Sequence, residues 1–189
     1  MGIYIIYLVM VVLHIELQHQ LDSLQAAQIY SAENSEIRFY SHAPVEDIEA
    51  TSTMLRAVMD MESGKLLFIV PIHSFEFEKK LMQKHFNEQY LESNKFPEAR
   101  FEGQFQEAPV KIDGSGEFAY EGLLTIHGIS RRINGTARLE QAGHTILGES
   151  HFKVRLEDYQ IKIPRMVIKN IAEVVDVSIS VRFSRISNN

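Results

Sequence analysis

Histidine supplies the first candidates for chemistry, and the chain carries eight of them. His14 and His19 fall in the N-terminal stretch. The other six are His42, His73, His85, His127, His144 and His151. None stands at the H-x-H, H-x3-H or H-E-x-x-H spacing that brings two imidazoles onto one metal ion, so no metal site is expected. There is no cysteine, which removes disulfides, thiolate ligands and thiol nucleophiles together. Gly-x-Ser-x-Gly is absent, and Gly114-Ser115-Gly116 reads as a hairpin turn rather than a nucleophile elbow. Glu157 and Asp158 are neighbours; on a strand their side chains point to opposite faces and cannot flank one bond. No Gly-rich phosphate loop is present. Asn134-Gly135-Thr136 has the form of a glycosylation sequon but lies inside an expected strand, and the acidic stretch Glu46-Asp47-Ile48-Glu49 reads as a solvated loop. The catalytic set is therefore expected to be empty. His85 and His127 remain as polar groups for a binding site, or as ordinary packed histidines.

Composition narrows the partners. Nineteen Lys and Arg stand against 25 Asp and Glu, a formal charge of −6, whereas a nucleic-acid binder normally presents a basic face. The apolar fraction of 45% excludes disorder. At 189 residues one domain can bury a core without staples. Ile3 to Leu13 is an unbroken run of 11 apolar residues. A membrane span needs about 20, so stable insertion is not expected. The run matches the apolar stretch of a signal peptide, with Ala26-Ala27 as the cleavage point and no Lys or Arg ahead of it. Residues 1–27 are thus expected to be an export leader, and 28–189 one domain.

The elements that must position any site are strands. Val175, Val177, Ile179, Val181 and Phe183 alternate with polar residues, as a half-buried strand requires. The same period of two runs through Ala99 to Gln106, Arg132 to Leu139 and Phe152 to Leu156, and more weakly through Glu36–Ser41, Thr53–Met61 and Phe118–Ile126. Turn residues separate them at Glu62-Ser63-Gly64, Asp113 to Gly116, His127-Gly128 and Ala142-Gly143. Lys65–Ile72 is apolar on both phases, so it should be covered on both faces. Its second cover is expected to be a helix over Glu76 to Glu92, which carries Leu81, Met82, His85, Phe86 and Tyr90 at helical spacing, with Ser74 as cap. About eight sequential antiparallel strands with one helix beside them predict an all-β up-and-down barrel, with a two-sheet sandwich as the other architecture.

On the inward phases large and small residues mix. The expected lining includes Phe39, Ala57, Met59, Phe68, Phe101, Gly103 and Phe105 from the first half of the chain. Phe118, Ala137, Phe152, Val154, Val177 and Ile179 complete it, with His85, His127 and Tyr159 as polar groups at a mouth. Small inward residues, Gly103 and Ala137 above all, leave volume unfilled, and empty volume costs roughly 24 cal/mol per Å³. Such volume is expected to hold a long, apolar ligand. The alternative is that Gly and Ala interdigitate with the phenylalanines and the barrel is filled, as a structural or interaction module. A lipid-modifying enzyme with His85 or His127 as base is a further reading. Homodimer formation stays open.

Several blocks, in order, resemble the YceI-like family of bacterial lipid- or polyisoprenoid-binding proteins. Gly122-Leu123-Leu124-Thr125-Ile126-His127-Gly128-Ile129-Ser130 resembles that family's G-x-L-T-I-H-G-V-T block. His85-Phe86 followed by Phe96-Pro97-Glu98-Ala99-Arg100-Phe101 is similar to its H-L/F … Y-P-x-x-x-F block. Ser35 to Phe39 and Asp176 to Ile179 resemble its opening and closing strands. The resemblance implies an eight-stranded lipocalin-like barrel, an elongated apolar cavity for an isoprenoid or similar lipid, no cofactor, transport or storage rather than catalysis, and export to the periplasm. The chain departs from the pattern at polar positions. Asn34 stands where many members have His, Met82-Gln83 where many have Arg-Asp, and Leu156 and Gln160 replace the Arg and Gly of R-x-D-F-G, with Asp158-Tyr159 retained. The missing polar residues would be natural partners for an anionic or quinone headgroup; without them a neutral lipid or a fatty acid is the expected ligand. N-terminal sequencing of the exported protein is expected to begin near Ala27 or Gln28; an intact Met1 on soluble, folded protein would overturn the leader.

Overall fold

Ten strands follow one another among the described residues. They are β1 (Ile29–Ser41), β2 (Ile48–Ser52), β3 (Arg56–Asp60), β4 (Lys65–Pro71), β5 (Glu76–Phe77), β6 (Glu98–Phe105), β7 (Ser115–Ile126), β8 (Ile129–Ala142), β9 (Thr145–Arg155) and β10 (Val174–Arg185). The computed structural model describes residues 7, 9–16, 28–42, 47–162 and 172–186. Neighbours in the order β1-β3-β4-β6-β7-β8-β9-β10 are hydrogen-bonded, and β10 returns to β1 to close the ring. Eight antiparallel strands thus form a closed barrel, which removes the exposed sheet edges an open sheet would have. β1 and β10 pair from Tyr30↔Arg185 to Tyr40↔Asp176, interrupted by one bulge between Ala32 and Asn34.

The expected phase in β10 holds. Val175, Val177, Val181 and Phe183 are buried, while Asp176, Ser180 and Arg182 are exposed. Two expectations change around β1. The strand starts at Ile29, ahead of the expected Glu36. The expected strand Thr53–Met61 shortens to β3, and β1 pairs with β3 through Ile29, Tyr30 and Ser31 and with the preceding β2 through Ile37 to Ser41. Ile48 and Glu49, read as loop, belong to β2.

The helix is the larger correction. Glu76 and Phe77 form β5, pairing with Thr51 and Ala50 of β2. Helix α1 covers only Lys80–His85 and continues as a π-helical turn, Phe86–Tyr90. Ser74 does not cap it. Its hydroxyl donates to the Pro71 carbonyl (2.6 Å) and accepts from Ser52 Oγ (2.6 Å), inside a 3-10 turn over Ile72–Ser74. Pairing with a strand the sequence hides captured the residues that helical periodicity had claimed. Nor does α1 cover the outer face of β4. Its Met82 faces the barrel interior, and the Phe86 ring packs on Phe39, Phe75 and Phe77 at centroid distances of 5.5, 5.7 and 5.0 Å. The helical segment therefore sits over one end of the barrel. The outward Leu67 and Ile69 of β4 stay half-buried beside Val58 and Arg56.

Of the expected leader, residues 9–16 are helical with Met10, Leu13 and Ile15 exposed. Ala26-Ala27 lies outside the described residues. Among the described residues no helix is long and apolar enough to cross a membrane.

The barrel phase has a direct check. Val181 is 2% exposed, so Val181→Asp is expected to cost several kcal/mol in urea unfolding, by burying an unpaired charge. Ser180 points outward between Glu36 and Glu149, so Ser180→Lys should stay within about 0.5 kcal/mol of the parent. Equal losses would mean that the face assignment is wrong.

Candidate functional site

Closing eight strands around apolar inward faces leaves a cavity of about 330 Å³ in the barrel. That is the lower end of the range for ligand pockets. Its wall has one property a filled core lacks. Phe68, Phe101, Ile133, Ala137, Phe152 and Ile179 all line the cavity, yet each is only half-buried. These side chains keep solvent-accessible apolar surface inside the protein. The filled-barrel alternative therefore does not describe the interior.

Most of the expected lining meets at this cavity. Phe39, Met59, Phe68, Phe101 and Phe105 border it, as do Ala137, Phe152, Val154, Val177 and Ile179, and His85 contributes a polar group at the helical end. Ala57 does not border it; it is buried in the wall at 4% exposure. Phe118 does not border it either, because its ring packs on Phe105 at 5.8 Å, towards the Asp113–Gly116 end of the barrel.

Gly103 is a correction of mechanism. It was expected to hold space open, but a Cβ there would lie 2.5 Å from Phe101 Cζ and against the Glu121 carbonyl. The Phe101 ring already covers Gly103 and its cross-strand partner Gly122. The same holds at Gly135, where a Cβ would lie 2.5 Å from Tyr120 Oη, and at Gly148, where it would meet Phe183 and Leu139. These glycines are seats for large side chains.

His127 and Tyr159 lie outside the cavity. His127 and Gly128, at φ of +53° and +73°, make the tight β7–β8 turn that twisted antiparallel strands favour. The imidazole is a strut. Nδ1 donates to the Tyr159 carbonyl (3.2 Å), Nε2 meets Glu92 Oε2 (2.7 Å), and the Phe96 ring packs edge-on at 4.5 Å. The hydrogen bond from His127 holds the Glu92 carboxyl below its ordinary range. Tyr159 follows Leu156 in a 3-10 turn, and burial pushes its phenol up to about 12. With both ring nitrogens engaged and no face on the cavity, His127 has no position from which to act as a base on a bound lipid.

The polar group that sequence reasoning missed is a pair, Tyr120 and Ser150, on the cavity wall. Tyr120 shares the inward phase of Phe118 along β7, which is the signal that could have found it. Its hydroxyl lies 3.0 Å from Ser150 Oγ, and Ser150 donates to the Thr136 carbonyl at 3.0 Å. Burial raises the Tyr120 phenol above its ordinary value. A phenol held protonated, hydrogen-bonded to a serine whose own proton is committed to a carbonyl, cannot abstract a proton. Among the described residues no cluster of three or more His, Asp or Glu could hold a metal ion. The arrangement can enclose an apolar molecule and offer it a few polar contacts.

A family model described as the YceI-like domain matches residues 30–183. No curated protein matches the chain significantly. Among solved structures, a polyisoprenoid-binding domain from Saccharophagus degradans superposes with a TM-score of 0.72 at 13% identity, covering 83% of this chain and 98% of that one. BcnA of Burkholderia cenocepacia gives 0.68 at 15% identity, covering 78% and 95%. The YceI protein of Campylobacter jejuni gives 0.62 at 17% identity, covering 78% and 90%. At these identities the structures establish the shared fold.

Two substitutions separate a seat from a space. Gly103→Ala is expected to cost about 1–3 kcal/mol, as overpacking against backbone does. Ala137→Phe, on the open wall, should cost less than about 1 kcal/mol because the ring enters empty volume. A thermal melt of each reads the difference, and a larger loss from Ala137→Phe would mean that the cavity does not extend to β8.

Proposed function

We propose, from the premise that the chain belongs to the YceI-like family, that its barrel binds a long apolar molecule and carries or stores it unchanged. The observation that supports this reading most is the half-buried state of inward-facing Phe68, Phe101, Phe152 and Ile179 around a 330 Å³ cavity. Apolar surface left wet inside a fold is unfavourable by roughly 25 cal/mol per Å², and a ligand removes it. The ligand class is a chain lipid: a polyisoprenoid, an isoprenoid quinone or a fatty acid. The Saccharophagus domain, described as polyisoprenoid-binding, is consistent with that class.

The departures from the family pattern narrow that class to its neutral members and away from the fatty acid. Met82 and Leu156 stand where the pattern carries arginine, and both border the cavity. A buried carboxylate or phosphate needs a paired cation or donors, and these two positions supply none. Asn34, at the third departure, is exposed at the bulge of β1 and faces away from the ligand space. The apolar run at the N-terminus supports export to the periplasm, where such a carrier would meet membrane lipids.

Native mass spectrometry of protein purified from its own host tests the proposal. The expected spectrum contains the chain plus one neutral lipid, released by organic solvent. Ala137→Phe should lower binding of an added fluorescent fatty probe at least about ten-fold, because ring and chain compete for one space. Protein that is bare in its host and does not bind apolar probes would overturn the function.

A further inference from the structure

The hydrogen bonds on the cavity wall have a direction. Ser150 has a single hydroxyl proton, and Thr136 O receives it. The hydroxyl stands at the last pair of the β8–β9 ladder, which runs from Ala142↔Thr145 to Ala137↔Ser150. Ser150 Oγ can therefore meet Tyr120 only as acceptor, so the Tyr120 hydroxyl donates to Ser150. Both protons of the chain are spent. What the pair still offers is lone pairs, chiefly those of Tyr120 Oη. Gly135 makes this possible: any Cβ there would occupy the place of the phenol oxygen. The surroundings are apolar, with the Phe101 ring 5.5 Å from the Tyr120 ring and Ala137 paired with Ser150 across the ladder.

We propose that Tyr120 and Ser150 form an acceptor-only notch in the middle of the cavity that selects apolar ligands carrying a hydroxyl donor, such as a long-chain alcohol or phenol, over the matching ketone, quinone or hydrocarbon. This rests on the apolar-ligand reading above and adds the chemistry of the ligand's polar group. A hydroxyl placed in the notch donates to Tyr120 Oη. A carbonyl placed there sets acceptor against acceptor and leaves its own desolvation unrelieved.

Three probes of one skeleton test this: tridecan-2-ol, tridecan-2-one and tridecane, each displacing N-phenylnaphthylamine from the full chain. The alcohol is expected to bind roughly 2- to 10-fold tighter than the ketone, the range one neutral hydrogen bond produces. Tyr120→Phe should erase that preference, the alcohol falling to the affinity of the ketone. Ser150→Ala should reverse it, because the Tyr120 proton, no longer taken by Ser150, becomes available to a ligand carbonyl. If Tyr120→Phe does not fold, the reversal in Ser150→Ala decides alone. Equal binding of alcohol and ketone by the parent, with all three probes bound, overturns the notch and leaves the carrier function standing. Failure of every probe to bind overturns the carrier function and the notch with it.

Discussion

The interior of this barrel depends on where its aromatic rings lie down. Eight strands close around a space that side chains can just fill, so a ring that points to the axis closes the cavity and a ring that lies along the wall opens it. Phe101 lies across Gly103 and Gly122, the Tyr120 hydroxyl against Gly135, and Phe183 against Gly148. Each glycine removes a Cβ from the wall at a place where a large side chain needs to rest. Gly103, Gly122 and Gly135 lie behind Phe101 and Tyr120, which themselves border the free volume, and Gly148 borders it directly beside Phe183. At the first three, small residues and open space are linked through the large side chains between them.

Closure and access are separated along the barrel. β10 pairs with β1 over most of its length and seals the ring. The helical end is built differently: β1 diverges from β3 to β2, β5 adds to β2, and Phe86 fills the gap with Phe39, Phe75 and Phe77. That end is held by ring contacts and by the His127 strut from the β7–β8 turn to Glu92. The helix itself has no side-chain cap and passes into a π-helical turn. Ladder hydrogen bonds thus hold the body of the barrel, while side-chain packing closes the end where Met82 and His85 meet the cavity.

Period-two patterning carried the fold because it is a local signal with a global consequence. In β10 the odd residues could only be inward, and so they are. The chain's own blocks around His127 and Phe96-Pro97 carried the family. What stayed hidden was set by pairing. Glu76-Phe77 looks helical until Ala50-Thr51 is there to receive it, and Ser74 looks like a cap until Ser52 lies beside it. The lining was legible where phase alone decides, as at Phe152 and Ile179. It was not legible at Gly103, Ala57 or Phe118, because whether an inward residue borders space depends on its cross-strand neighbours. His127 was misplaced for a related reason: a histidine at a strand end reads as a mouth residue, but a positive φ in a two-residue turn aims it across the outside of the barrel end.

The hydrogen bonds of His127, Tyr120 and Ser150 take these three polar groups out of acid–base chemistry and leave His85 as the imidazole that borders the cavity. An enzyme of this architecture would need a base that faces the ligand and has a lone pair to spare. His127 has its nitrogens turned to Tyr159 and Glu92. Tyr120 faces the ligand space, but burial keeps its phenol protonated, and Ser150 donates its hydroxyl proton to the Thr136 carbonyl. One donation to a strand carbonyl therefore orders both hydroxyls of this pair, which can receive a proton in a hydrogen bond and has none to give, while His85 meets the cavity at its helical end.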